Sequence, residues 1–150
     1  MNGTLDKKRY ILLAEDDNDF LPEFIKVWQF FGYEVITAMN GAELTEKANT
    51  LIKDNNEFAI IVDNQMPEAT GQAQDRFCGF KTIIALCKAY PDLHLGDRVI
   101  FLSVWRRKDM PKHLLSEAED LKLLGDNQWF RRFTAFAVIY DQVKQIFSEA

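Results

Sequence analysis

Residues 10–20 read Tyr-Ile-Leu-Leu-Ala-Glu-Asp-Asp-Asn-Asp-Phe. An uncharged apolar run, Tyr10–Ala14, stops abruptly at a cluster of carboxylates, and a helical pattern starts at Phe20. The run is continuous instead of alternating, which is how a strand buried on both faces reads. The same grammar recurs downstream. Phe58–Val62 ends in Asp63-Asn64-Gln65-Met66-Pro67, and Val99–Leu102 ends in Ser103. Tyr33–Ala38 alternates more and suits a strand nearer a sheet edge. Gln128–Phe133 is a weaker fifth strand, because it contains Arg131 and Arg132.

Helical spacing fills the gaps. Leu21, Phe24, Ile25, Trp28 and Phe31 recur at helical intervals, with Asp17 or Asp19 as N-cap, Pro22 in the first turn and Gly32 as the stop. Further helices are predicted over Gly41–Ile52, Phe80–Tyr90, part of Met110–Leu124, and Thr134–Phe147. Alternating strands and helices imply an α/β fold, a doubly wound five-stranded parallel sheet with helices on both faces. One polar stretch, Glu68–Cys78, fits neither pattern.

Composition agrees and narrows the function. Of 150 residues, 47% are hydrophobic and 27% charged, the balance of a chain that buries a core, and residues 1–150 read as one domain. Lys and Arg number 18 against 23 Asp and Glu, so the net charge is −5 and bulk attraction to nucleic acid or anionic lipid is disfavoured. Apolar runs such as Tyr10–Ala14 fall far short of the roughly 20 residues that span a bilayer. Met1–Arg9 is polar and no apolar signal segment follows it, so a cytoplasmic location is expected. Cys78 and Cys87 form neither a zinc knuckle nor a disulfide framework and read as buried thiols. His94 and His113 lie outside the acidic clusters and read as surface residues.

In open parallel sheets, ligands bind beyond the carboxyl ends of the strands. Glu15, Asp16, Asp17 and Asp19 follow the first strand, Asp63 the third, Ser103 the fourth, and Arg131 and Arg132 the fifth. A nucleotide-binding fold would place Gly or Ser/Thr after the first strand to cradle phosphate. Carboxylates there repel phosphate and attract a divalent cation, and hard oxygen donors suit Mg²⁺ or Mn²⁺. Beside such a cation, Asp63 is placed to attack a phosphoryl group as nucleophile. The Ser103 hydroxyl and the Arg132 cation are candidates to hold the remaining phosphoryl oxygens. Trp105-Arg106-Arg107-Lys108 is a local basic run, either a solvated loop or a contact surface for a phosphodonor or target protein.

Four segments carry a family resemblance. Ile11–Phe20 resembles the opening of a bacterial response-regulator receiver domain, and Phe31–Glu43 its second strand and following turn. Ile60-Ile-Val-Asp-Asn-Gln-Met-Pro67 resembles the phosphoacceptor strand, and Val99-Ile-Phe-Leu-Ser103 the fourth strand. The resemblance spans residues 8–148. It implies the flavodoxin-like, CheY-like receiver fold with strand order 2-1-3-4-5. It implies Asp63 as phosphoacceptor and Glu15 with Asp16 as the acidic pair of a Mg²⁺ site, Asp16 the direct ligand. It further implies that the Gln65 carbonyl completes the metal shell, that Ser103 hydrogen-bonds the phosphoryl group, and that Trp129 stands where the family has a switching aromatic that changes rotamer.

The chain departs from the pattern twice. The family ends its fifth strand in Lys-Pro, where this chain has Arg132-Phe133. Arg keeps the charge but replaces a compact ammonium with a wide planar fork. Without proline a cis peptide there costs about 2.5–4 kcal/mol, so the strand end is expected to be rebuilt, with Arg131 as the other candidate for the cation. The second departure is Glu68–Cys78, read as an insertion beside the phosphorylation site, with Gly79 rather than Gly71 as the glycine that opens the next helix.

The resemblance therefore implies a stand-alone receiver in two-component phosphorelay signal transduction, or part of a longer chain. Its expected partners are a histidine kinase or histidine phosphotransfer protein as donor and an unidentified downstream protein target, with no nucleic acid and no membrane. It is not expected to be an enzyme beyond self-phosphorylation and slow autodephosphorylation. Two other readings compete. One is a degenerate receiver that binds proteins without phosphorylation, motivated by the missing Lys-Pro. The other is a Mg²⁺-dependent phosphatase or phosphotransferase on small molecules, disfavoured because Asn64-Gln65 supplies no second acid/base carboxylate.

Overall fold

The computed structural model describes residues 8–123, 125, 128–132 and 134–148. The principal elements are β1 (Arg9–Ala14), α1 (Leu21–Phe30), β2 (Glu34–Ala38), α2 (Gly41–Lys53) and β3 (Glu57–Asp63). They continue with β4 (Met66–Pro67), β5 (Gln74–Asp75), α3 (Cys78–Ala89), β6 (Val99–Ser103), α4 (Lys112–Asp120), β7 (Trp129–Arg131) and α5 (Phe136–Ser148). The main sheet runs β2-β1-β3-β6-β7 and every pairing in it is parallel. Counting only its own five strands, this is the expected order 2-1-3-4-5.

The continuous apolar runs are continuous because both sheet faces are covered. Leu12, Ile60, Val62 and Phe101 point to one layer, against Leu44 and Leu51 of α2, Phe80 and Ile83 of α3, and Leu114 of α4. Ile11, Leu13, Ile61 and Ile100 point to the other, against Phe24 and Trp28 of α1 and Ile139 and Val143 of α5. Fully burying each such side chain contributes about 1.5–3 kcal/mol, which is what holds the two helix layers to the sheet.

Three local expectations need correction. Neither Asp17 nor Asp19 caps α1. The N-cap is Phe20, without a side-chain cap. Asp17 is diverted, its Oδ1 accepting the Asp19 N–H at 2.9 Å and its Oδ2 reaching Arg132 at 3.0 Å. By contrast, Asn40 caps α2, accepting the Glu43 N–H at 2.8 Å, while Glu43 accepts the Met39 N–H at 3.1 Å. Second, β7 spans only Trp129–Arg131, shorter than Gln128–Phe133. Phe133, where the family pattern has Pro, lies outside the described residues. Third, Glu68–Cys78 is not wholly irregular. Met66–Pro67 pairs antiparallel with Gln74–Asp75, and Gly71 takes a positive φ of 83° in the loop between them. Helix α3 then starts at Cys78, earlier than Phe80.

Cys78 and Cys87 are free and buried, as expected of inert thiols. His94 and His113 are exposed. Among the described residues, no helix is long and apolar enough to cross a membrane.

Candidate functional site

Register builds the site. Ala14 pairs with Val62 across β1 and β3, so the next residues, Glu15 and Asp63, leave the sheet side by side. Gly79 lets α3 close on the same strand end. Its N–H donates to the Asn64 carbonyl at 3.0 Å, and a Cβ on it would stand 2.3 Å from the Asp63 carbonyl oxygen and 2.7 Å from a Val62 methyl. No side chain fits there, which is the physical reason for glycine at that position.

Glu15, Asp16 and Asp63 each offer a carboxylate oxygen within 4.8 Å of the others. Glu15 is 3% and Asp63 6% exposed, so both charges are held out of water. Arg132 enters from the end of β7. Its guanidinium lies 2.5 Å from Glu15 Oε1, 2.9 Å from Asp63 Oδ2 and 3.0 Å from Asp17 Oδ2. Its face covers the Phe20 ring at 4.8 Å. The wide fork of arginine spans these carboxylates at once, which a lysine ammonium could not do with the same geometry. Arg131, the other candidate, is exposed and points to the neighbouring groove.

Electrostatics follow from burial. Desolvation, reinforced by the charge of Asp63, pushes Glu15 up to about 8, with Arg132 pulling the other way. Desolvation also raises Asp63, against the Gln65 N–H and Arg132, which favour its charged form. Burial works against the charge on Arg132, but Glu15 and Asp63 more than offset it and hold it above its ordinary range. One guanidinium thus faces three carboxylates, and burial favours a proton on Glu15. Hard anionic oxygens at this spacing fit a small divalent cation of the Mg²⁺ or Mn²⁺ kind.

Around the pocket the remaining candidates separate. Asp63 Oδ1 accepts the Gln65 N–H at 3.2 Å. The Gln65 side chain turns toward the hairpin, donating to Gln74 Oε1 at 2.8 Å and accepting the Trp105 indole N–H at 3.1 Å. Gln74 in turn donates to Asp16 Oδ2 at 2.5 Å. Ser103 is buried, and its Oγ accepts the Trp105 backbone N–H at 3.0 Å. Trp129 is half-buried and packs on Phe80 and Phe101, with ring centroids 5.3 and 5.1 Å away. It lines a groove of about 570 Å³ shared with Ser103, Trp105, the basic run Arg106–Lys108 and Arg131. The acidic pocket beside it is smaller, about 190 Å³.

Sequence reasoning did not find Gln74, Arg76 or the indole of Trp105. Gln74 and Arg76 lie in the insertion, where no periodicity marks a partner. Asn64 was also missed. It is fully buried, and neither its side-chain oxygen nor its nitrogen has a hydrogen-bond partner among the described residues.

No protein-family model matches the chain, and no curated protein does. Solved structures do. The receiver domain of the Francisella response regulator 1452 superposes with a TM-score of 0.64 at 21% identity, over 93% of this chain and 97% of that one. The non-phosphorylated HemR receiver domain from Leptospira biflexa gives 0.62 at 18% identity, over 94% and 95%. A chain of the CheX–CheY–BeF3–Mg²⁺ complex from Borrelia burgdorferi gives 0.66 at 16% identity, over 94% and 90%. At these identities the likeness establishes the fold. The chain has the fold of response-regulator receiver domains.

Proposed function

We propose that this chain is a phosphoacceptor receiver in a two-component phosphorelay, phosphorylated on Asp63. The carrying observation is the convergence of Glu15, Asp16 and Asp63 at the C-terminal ends of adjacent parallel strands, with Arg132 bridging Glu15 and Asp63. The donor is a phosphohistidine on a histidine kinase or histidine phosphotransfer protein. Asp63 Oδ attacks phosphorus, the P–O bond forms as the P–N bond breaks, and the leaving imidazole takes up a proton from solvent. Asp16, Asp63 and the Gln65 carbonyl, with Glu15 beside them, would hold Mg²⁺ or Mn²⁺, which supplies neutralisation of charge on the phosphoryl oxygens.

The protein's own groups do the rest. Arg132 keeps its place beside Asp63 and transfers a hydrogen bond from Asp63 Oδ2 to a phosphoryl oxygen. Ser103 donates its hydroxyl to another, and its bond from the Trp105 N–H links that event to the β6–α4 loop. Trp129, packed on Phe80 and Phe101, is the aromatic whose rearrangement would alter the adjoining groove. The basic rim Arg106–Lys108 serves contact with a protein, donor or target. The reading carries with it a cytoplasmic location and no turnover of a free substrate.

Incubation with acetyl phosphate or phosphoramidate and Mg²⁺, read by intact mass, tests this. The expected result is a gain of one phosphoryl group, lost in Asp63→Asn and on chelation. A second reading, a degenerate receiver acting as a binding module, is favoured by one observation: the Arg132 guanidinium bridges Glu15 and Asp63 and so competes with a cation for the same carboxylates. Absence of any mass gain with either donor would establish it in place of the first. Hydrolysis of a generic phosphate ester with multiple turnover would instead point to a small-molecule phosphatase.

A further inference from the structure

We infer that the hairpin inserted after β3 couples cation binding at Asp16 to the loop carrying Trp105, with Gln74 as the positioning residue. The inference rests on the receiver reading, and it concerns a segment that reading does not use. Three hydrogen bonds run head to tail. The Trp105 indole N–H donates to Gln65 Oε1 at 3.1 Å, Gln65 Nε2 to Gln74 Oε1 at 2.8 Å, and Gln74 Nε2 to Asp16 Oδ2 at 2.5 Å. Every dipole points the same way and the chain ends on an anion. In that arrangement each bond polarises the next, most at the half-buried Trp105–Gln65 bond and least at the two exposed bonds of Gln74.

The hairpin fixes this geometry from both ends. Pro67 pairs with Gln74 in register across β4 and β5. One residue past β5, the Arg76 guanidinium sits 4.9 Å over the Trp105 ring. Asp75 accepts the Phe77 N–H at 2.9 Å and Lys81 Nζ at 2.6 Å, anchoring the hairpin to α3. Trp105 also donates its backbone N–H to Ser103 Oγ, so the relay joins the carboxylate proposed to bind the cation to the hydroxyl proposed to bind the phosphoryl group.

A dication on Asp16 withdraws charge from the acceptor that terminates the relay. The terminal bond weakens, and the Gln65 and Trp105 bonds weaken with it. Linkage is reciprocal, so the Gln74–Asp16 bond must oppose cation binding by the same factor. Gln74→Ala is therefore expected to tighten Mg²⁺ about two- to ten-fold, the range of one ordinary hydrogen bond.

The test is a Mg²⁺ titration of the full chain, wild type and Gln74→Ala, by calorimetry and by ¹H–¹⁵N NMR. The Trp105 indole signal is assigned by its loss in Trp105→Phe. In wild type, Mg²⁺ is expected to shift backbone amides at Asp16 and Asp63 together with the Trp105 indole. In Gln74→Ala the amides still shift, the affinity rises, and the indole no longer responds. Unchanged or weaker affinity, or an indole response that survives the substitution, overturns the coupling and leaves the receiver reading standing. No amide shift with Mg²⁺ in wild type removes the cation site, and the relay's role with it. Independently of metal, indole hydrogen exchange at Trp105 should quicken about two- to ten-fold in Gln74→Ala. An unchanged rate shows that Gln74 does not hold it.

Discussion

Two hollows open at the same end of the sheet, with opposite chemistry. The acidic pocket at β1 and β3 is made by residues that leave the strands directly: Glu15 and Asp63 follow paired Ala14 and Val62. The basic groove at β6 and β7 is made mostly by a loop, Val104–Lys108, with Trp129 and Arg131 on the last strand. In the first, charges are buried and interlocked through Arg132. In the second, Arg106, Lys108 and Arg131 stand in solvent, and the Arg106–Asp109 contact is a loose 3.8 Å pair between exposed side chains. Neighbouring arginines show the contrast within one dipeptide. Arg132 serves the pocket and Arg131 the groove. Successive residues at a strand end point to opposite sides, so adjacent arginines are delivered to different hollows.

The largest expected effect breaks the pocket. Arg132→Ala leaves Glu15 and Asp63 buried without their cation and should cost about 3–5 kcal/mol of stability in chelator, by urea unfolding. Saturating Mg²⁺ should recover part of that loss. The paired substitution Arg131→Ala should stay within about 0.5 kcal/mol, and a comparable loss there would erase the distinction between the hollows.

Next comes Gly79→Ala, which forces a methyl against the Asp63 carbonyl and a Val62 methyl. About 1–3 kcal/mol of destabilisation is expected, with weakened Mg²⁺ binding, since the strand end itself must shift. A neutral result would mean α3 is not seated on the site.

A smaller effect is spread over pH. Glu15 is raised in the folded state, from 4.5 to about 8, so the folded protein keeps a proton that the unfolded chain releases. Without metal, that contribution to stability is complete below pH 4.5 and is lost as pH rises through about 8. Unfolding midpoints in chelator should fall across that window, and Glu15→Gln should flatten the fall. An identical slope in the variant would refute the assignment.

The smallest effect belongs to the groove. Lys108→Ala should leave stability unchanged within about 0.5 kcal/mol. It should slow association with a protein partner, most visibly at low ionic strength. Salt-independent binding would argue that the groove is not a contact surface.

Much of this was legible along the chain because strand burial and strand-end chemistry are local properties. Three continuous apolar runs and two weaker strand patterns between helical ones imply the parallel sheet, and the residue after each is automatically at the ligand-binding end. Gly79 was readable too, as the glycine opening the helix after the insertion. Asp17 misled because an acidic residue before a helix is usually a cap, and its other use depends on Arg132, far along the chain. Gln74 carried no signal at all. Its partners, Asp16 and Gln65, lie on different strand ends and meet it only after the hairpin folds back over the sheet.

The sequence by itself determined the layered sheet and which residues stand at its rim, since burial periodicity and covalent succession need no distant partner. Tertiary structure alone decided that Arg132 and not Arg131 faces the carboxylates, and that the inserted hairpin reaches Asp16. Both depend on contacts between segments that chain order leaves unspecified, and a side chain's neighbours across a loop are set only when the packing around it is complete.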